Sequence, residues 1–204
     1  ANPDNKGYAG AANQGIQETK GEFVVITNPD ILYEPAYFEN AMKKMREDER
    51  IAALTGKIKK YDFANDKKTN LIDTVGLFIY RNRRVIDDGQ GLPDDGRFDQ
   101  EKEVFGVSGA CPLYRRKALE DVKICAHAHN HNNNCEYFDN DFFMYKEDVD
   151  LSWRFQLFGW KCWYYPKAVA YHGRGTGVAQ RFTGAQVMQE RAKLSPFQKK
   201  YSYT

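Results

Sequence analysis

The chain has 204 residues, 42% of them hydrophobic and 14% aromatic, enough for one domain with a sizeable core and too few for two comfortable ones. A formal net charge of +2, with Lys and Arg spread along the chain, argues against the concentrated basic face of a nucleic-acid-binding protein, although a local basic patch can still meet anionic lipid or a diphosphate. No apolar run approaches a membrane span, and no signal peptide is visible.

In chain order, residues 5–10 read as a Gly-rich turn and 11–19 as a helix. Phe23, Val24, Val25, Ile26 and Thr27 form a short β-branched run, the mark of a buried strand, stopped by Asn28-Pro29-Asp30. Residues 35–48 pattern as an amphipathic helix with Phe38, Met42 and Met45 on one stripe. Strand candidates follow at 51–55, 58–63 and 77–80, and residues 87–99, rich in Gly and Asp, read as a loop. Residues 104–114 are strand-like but broken at Ser108-Gly109, and 116–122 form a short helix. Residues 148–158 read as a helix closed by Gly159. Strand signals at 162–165 and 168–171 end at His172-Gly173, and the tail from Ala185 reads as helical until Pro196. Alternating strands and helices predict a layered α/β domain, whose ligands sit beyond strand ends. Both chain ends read as cut points, since the sequence starts at Ala1 without an initiator Met.

Cys111, Cys125, Cys135 and Cys162 show no CxxC spacing and do not read as a disulfide framework, so a reducing, cytoplasmic setting is expected. Cys125, His127, His129, His131 and Cys135 lie close enough in sequence to consider a zinc site, but their alternation matches no common finger and the intervening Asn residues read as a surface loop.

Three clusters carry chemistry. Asp30 follows a buried strand, where a carboxylate can serve Mg²⁺ while phosphate oxygens and water fill the other positions; a Pro turn with a capping Asp accounts for the same residues. Glu147-Asp148-Val149-Asp150 puts three acids at a helix start, which suits the helix dipole and equally supplies a general base. His172 ends a strand, and a neutral imidazole is a good ligand for Mn²⁺.

The order of these clusters resembles glycosyltransferase family 2, and within it the rhamnosyltransferase-like subgroup. Asn5-x-Gly7-Tyr8-Ala9-Gly10, Asn13-x-Gly15-Ile16, Gly21-Glu22-Phe23 and Asn28-Pro29-Asp30 are similar to the family's donor half, about residues 1–56. Val107-Ser108-Gly109-Ala110, Arg115-Arg116-x-Ala118, the stretch from Phe138 through Glu147-Asp148 to Trp153-Arg154, Gly159-Trp160-Lys161 and His172-x-x-Gly175 look like the acceptor half, about residues 104–204. The resemblance implies one catalytic domain over residues 1–204 with a GT-A (nucleotide-diphospho-sugar transferase) fold: a mixed, mostly parallel sheet flanked by helices, here without the family's first strands and their base-reading Asp. It implies transfer of a sugar from a nucleotide-sugar donor (dTDP- or UDP-sugar) to a hydroxyl on a glycan or lipid-linked acceptor, with inversion. Asp30 then corresponds to the last acid of the DxD metal motif, Asn28 stands where the first acid often is, and His172 is similar to the late metal-ligand histidine, both serving Mn²⁺ or Mg²⁺. Asp148 matches the general base with Glu147 beside it. Asn5, Gly7 and Asn13 fall where such enzymes approach the nucleotide, and Ser108 and Gly109 line the cleft. The family's usual destination, bacterial surface polysaccharide or cell-wall glycolipid, implies work at the inner face of the plasma membrane with peripheral membrane contact. The alternatives are a non-catalytic glycan- or partner-binding remnant of such an enzyme and a metal-binding module on the His/Cys loop.

Overall fold

The computed structural model describes residues 4–125 and 135–174. The expected tail helix, Gly175 and His127, His129 and His131 lie outside the described residues.

Helix α1 (Gly7–Glu18) leads into β1 (Phe23–Val25) and β2 (Ile31–Tyr33), and α2 (Tyr37–Glu47) follows. The α2 stripe buries Tyr37, Ala41 and Met45, with Phe38 and Met42 partly buried beside them. The two strand signals at 51–55 and 58–63 are one strand, β3 (Ile51–Asp62), buried from Ile51 to Ile58 because layers cover both its faces. β4 (Lys67–Thr74), the hairpin strands β5 (Leu77–Ile79) and β6 (Val85–Asp87), and β7 (Lys102–Val104) occupy the less patterned middle of the chain. β8 (Leu113–Arg115) runs into α3 (Arg116–Val122), and β9 (Ile124–Cys125) pairs with β10 (Cys135–Glu136). After α4 (Glu147–Leu157), the chain closes with β11 (Lys161–His172), again one strand where two were expected. Its ladder with β3 slips between Tyr165 and Val169, around Pro166, a residue with no N–H to donate. Gly56 faces that irregularity, where an added Cβ would collide with the Ala168 carbonyl.

The main sheet runs β1-β8-β3-β11-β2, with β4 on β3 and β7 on β11. It is mixed, as expected, but not mostly parallel. Among the described residues β3 and β11 form its one parallel ladder, and the other pairings, β1/β8, β3/β8, β3/β4, β11/β2 and β11/β7, are antiparallel. The two long strands need a crossover through α3 and α4 to run side by side, whereas the short strands return beside them directly. One face packs α1, α3 and α4 through Ala9, Ile16, Leu119, Leu151 and Phe155, and the other packs α2.

Cys125 and Cys135 are joined by a disulfide across β9/β10, while Cys111 and Cys162 are free and buried. This corrects the reading of four unpaired cysteines. It also takes both sulfurs from the zinc site considered above, because a bonded sulfur offers no thiolate to a metal. Among the described residues no helix is long and apolar enough to cross a membrane.

Candidate active site

The β1/β8 pairing is extended by two bonds beyond the strands: the Ile26 N–H donates to the Pro112 carbonyl at 3.3 Å and the Asn28 N–H to the Ala110 carbonyl at 2.9 Å. Residues 28–30 are therefore zipped against the turn at 108–110. On their far side, Ile31 lies opposite His172 in the β2/β11 ladder, and the Gly173 N–H donates to the Asp30 carbonyl at 3.0 Å. Three segments remote in sequence meet here because they share neighbouring strands.

His172 is 5% exposed, and its two ring nitrogens have different partners. Nδ1 lies 2.8 Å from Oδ2 of Asp73, and Nε2 lies 3.4 Å from Oδ1 of Asp30. A carboxylate on one nitrogen orients the ring and presents the other nitrogen outward, the usual support for a metal-ligating imidazole. Two groups each about 2.1 Å from one small divalent cation stand at most about 4.2 Å apart. The 3.4 Å gap between Asp30 and His172 meets that condition, so these two residues fit a divalent cation. Among the described residues no three His, Cys, Asp or Glu side chains gather into a closed cage. A cation held by these two residues alone would leave its other positions to water and phosphate oxygens.

Asp73 is fully buried on β4, and Arg174 lies 3.3 Å from its Oδ1 and 3.0 Å from Oδ2 of Asp87. The sequence reading passed over Asp73, Asp87 and Arg174. A signal for the first existed: an Asp between Ile72 and Val75 in an apolar strand is a buried charge that needs a partner.

Asp148, half-buried in the first turn of α4, accepts the Gly109 N–H on Oδ2 at 2.9 Å and the Val149 N–H on Oδ1 at 2.8 Å. Burial raises its proton affinity, the two N–H donors oppose that, and the charge of Asp87 adds to it. Glu147 is 5% exposed, and its Oε2 has no hydrogen-bond partner. Burial, then repulsion from Asp148, pushes its carboxyl well above the usual carboxylate range. Asp150 is different: it pairs with Arg154 at 2.8 Å, and that guanidinium also donates to the Val122 and Tyr137 carbonyls, so its role is to hold α4. Phe143, Tyr145 and Lys146 all have positive φ just before the acid pair. Such strain is concentrated where a turn must aim particular side chains.

Gly109 belongs to this group through close approach. A Cβ there would come within 3.2 Å of the Tyr8 hydroxyl and 3.6 Å of Asp148 and Glu147, and Tyr8 donates to the Gly109 carbonyl at 2.6 Å. Ser108 is buried beside it. Of the residues expected near a nucleotide, Asn5 accepts the Gly7 N–H at 2.9 Å and shapes the start of α1. Gly7, at φ +69°, lets Phe143 pack against it. Asn13, also expected near the nucleotide, is engaged within the protein. Its amide donates to the Phe138 carbonyl and the Asn140 side chain, and its oxygen accepts from the Tyr137 and Phe138 N–H groups. With both donors and both acceptor positions occupied, it is a clamp between α1 and residues 137–140. A cleft of about 470 Å³ between α1 and β10 is walled by Asn13, Gln17 and Cys135 and by none of Asp30, His172 or Asp148.

The arrangement therefore brings Asp30, His172 and the Glu147–Asp148 pair around one turn, on an α/β scaffold that solved structures share. A crystal structure of GalNAc-T7 with UDP, GalNAc and Mn²⁺ matches with a TM-score of 0.61 at 12% identity, over 84% of this chain and 31% of that one. The fold is GT-A, the class of nucleotide-sugar transferases. Residues 1–123 match the Glycosyl transferase family 2 profile, and the chain belongs to that family. The poly-beta-1,6-N-acetyl-D-glucosamine synthase of Staphylococcus epidermidis is 24% identical over 174 residues, and that of Staphylococcus aureus strain COL is 23% identical over 169. In each case the match covers 82% of this chain and 34% of the relative, so the chain spans about a third of their length. These relatives carry a different name from the rhamnosyltransferase-like subgroup expected above.

Proposed function

We propose that this chain carries the transfer site of a metal-assisted, inverting glycosyltransferase that builds a bacterial surface polysaccharide from a nucleotide sugar. The observation behind this reading is that Asp30 meets His172 at 3.4 Å beside the same turn whose Gly109 N–H rests on Asp148 at 2.9 Å. On this reading Asp30 and His172 hold Mn²⁺ or Mg²⁺, which when bound supplies charge to offset that developing on the leaving diphosphate. Asp148 accepts the proton of the acceptor hydroxyl while that hydroxyl's oxygen bonds to the anomeric carbon and the bond from that carbon to the phosphate oxygen breaks, its electron pair leaving with the diphosphate. One displacement inverts that carbon. Glu147 lies beside Asp148, and burial together with the charge of Asp148 holds its own carboxyl proton, so that Asp148 is the member of the pair left to act as the base. Asn28, Ser108 and Gly109 form the floor on which the donor lies, and Asn5 and Gly7 shape the adjacent end of α1.

The poly-N-acetylglucosamine relatives and the UDP-bearing neighbour support a UDP-sugar over the dTDP-sugar of a rhamnosyl reading. The acceptor is a glycan or lipid-linked hydroxyl, and the place of action the inner face of the plasma membrane. Hydrolysis of UDP-N-acetylglucosamine and of a dTDP-sugar, with and without Mn²⁺, tests the reading. Asp148→Asn should lower turnover by about 10²–10⁴-fold while donor affinity stays near wild type. Undiminished turnover would remove Asp148 as the base, and metal-independent donor binding would remove the cation. A chain that binds donor but never turns it over would be the non-catalytic remnant.

A further inference from the structure

The β5–β6 hairpin forms a small sheet of its own, apart from the main one. Its tip, Tyr80-Arg81-Asn82-Arg83-Arg84, is closed by its own bonds. The Tyr80 N–H donates to the Arg84 carbonyl at 2.9 Å, the Arg83 N–H to the Tyr80 carbonyl at 2.8 Å, and the Arg84 N–H to the Asn82 side chain at 3.1 Å. Arg83 sits at φ +68°, a conformation that Gly or Asn adopts with less strain. Arg81, Arg83 and Arg84 are all exposed, and among the described residues none is in an ion pair. Against a whole-chain charge of only +2, this is a marked local concentration.

The register sorts the hairpin into two faces. Leu77, Ile79, Val85 and Asp87 share the inner one, where Leu77 is buried and Asp87 reaches Arg174. Phe78 stands opposite Ile86 and Tyr80 opposite Arg84 on the outer one. Phe78 and Tyr80 are 47% and 45% exposed, with ring centroids 5.0 Å apart. Rings left half in water next to unpaired guanidinium groups match the boundary between lipid headgroups and acyl chains, where aromatic side chains enter and cations meet anionic headgroups. A pocket for one discrete phosphate would instead bury some of its donors, and all three arginines are exposed.

We propose that the tip of the β5–β6 hairpin docks the protein on an anionic lipid surface. The inference is independent of the donor site, since none of the three arginines belongs to it.

Co-sedimentation of the full chain with vesicles tests it, using neutral phosphatidylcholine alone and phosphatidylcholine with a minority of phosphatidylglycerol. Binding should require the anionic lipid. The triple change Arg81→Ser, Arg83→Gly and Arg84→Ser, with Gly chosen to suit the positive φ, should weaken binding about a hundredfold at physiological salt. The double change Phe78→Ser and Tyr80→Ser should retain most binding at low salt and lose the part that survives high salt. Thermal midpoints and donor hydrolysis of both variants should match wild type, separating lost docking from lost folding or lost catalysis. Equal binding to neutral vesicles, undiminished binding of the triple variant, or pelleting without vesicles would overturn the proposal. So would displacement from vesicles by a single-stranded oligonucleotide or by pyrophosphate at matched ionic strength, which would make the tip a nucleic-acid or discrete phosphate site.

Discussion

Glu147→Gln separates the stability of the acid pair from its chemistry. The Glu147 carboxyl is 5% exposed, lacks a partner on Oε2, and has its proton affinity raised by burial and by Asp148. The folded chain therefore binds this proton more tightly than the unfolded chain does. Stability is lost as pH rises from the ordinary carboxylate range through the raised folded value. Leaving one oxygen of a buried carboxylate without a hydrogen bond costs about 1–3 kcal/mol, and a glutamine of the same shape keeps a smaller, uncharged part of that cost. The gain on substitution at about pH 8 should be on the order of 1–2 kcal/mol. For a domain of this size that raises the thermal midpoint by about 2–8 °C. At about pH 4, where the folded carboxyl is protonated and the unfolded one largely so, the gain should shrink to near zero. Thermal unfolding followed by circular dichroism at both pH values measures this. A variant that melts lower than wild type at the higher pH, or gains equally at both, would show that Glu147 carries no uncompensated charge.

Asp73→Asn should weaken the affinity for Mn²⁺ by about 10–100-fold, since it disturbs the group that orients His172; calorimetric titration in the presence of UDP reads this, and an unchanged affinity would rule it out. Asn13→Ala should destabilise the chain by about 2–4 kcal/mol, because it strands two buried N–H groups and the Phe138 carbonyl. Denaturant unfolding checks that, and a variant of native stability with weakened donor binding would return Asn13 to the nucleotide. Turnover should rise with pH through a limb above the usual carboxylate range, because Asp148 must lose its proton to act and burial holds that proton more tightly. Residual turnover of Asp148→Asn should lack that limb.

Local pattern accounts for much of the architecture. α2 was legible from its apolar stripe, α3 from residues 116–122, and α4 to within one residue at each end. These are segments where side-chain period and backbone preference agree. Pattern failed where a strand's identity depends on its neighbour. β3 and β11 each looked like two strands, because Gly56 and Pro166 interrupt the apolar run while the shared ladder carries the backbone past them. Parallel or antiparallel pairing is likewise set by how the chain returns. Asn28, Asp30, Ser108, Asp148 and His172 were singled out as polar residues at element ends, yet nothing local distinguishes them from turn and cap residues.

The order and chemistry of the clusters, and the burial of most helices, were written in the chain itself, because hydrophobic period and turn composition act within a few residues. Tertiary structure alone decided that Asp30 faces His172, that Asp73 braces the far side of that ring, that Asn13 is consumed as a clamp, and that Cys125 bonds Cys135. Each is a contact between residues whose proximity follows from sheet pairing or chain return, and a single hydrogen bond or ion pair leaves no periodic trace in the sequence that forms it.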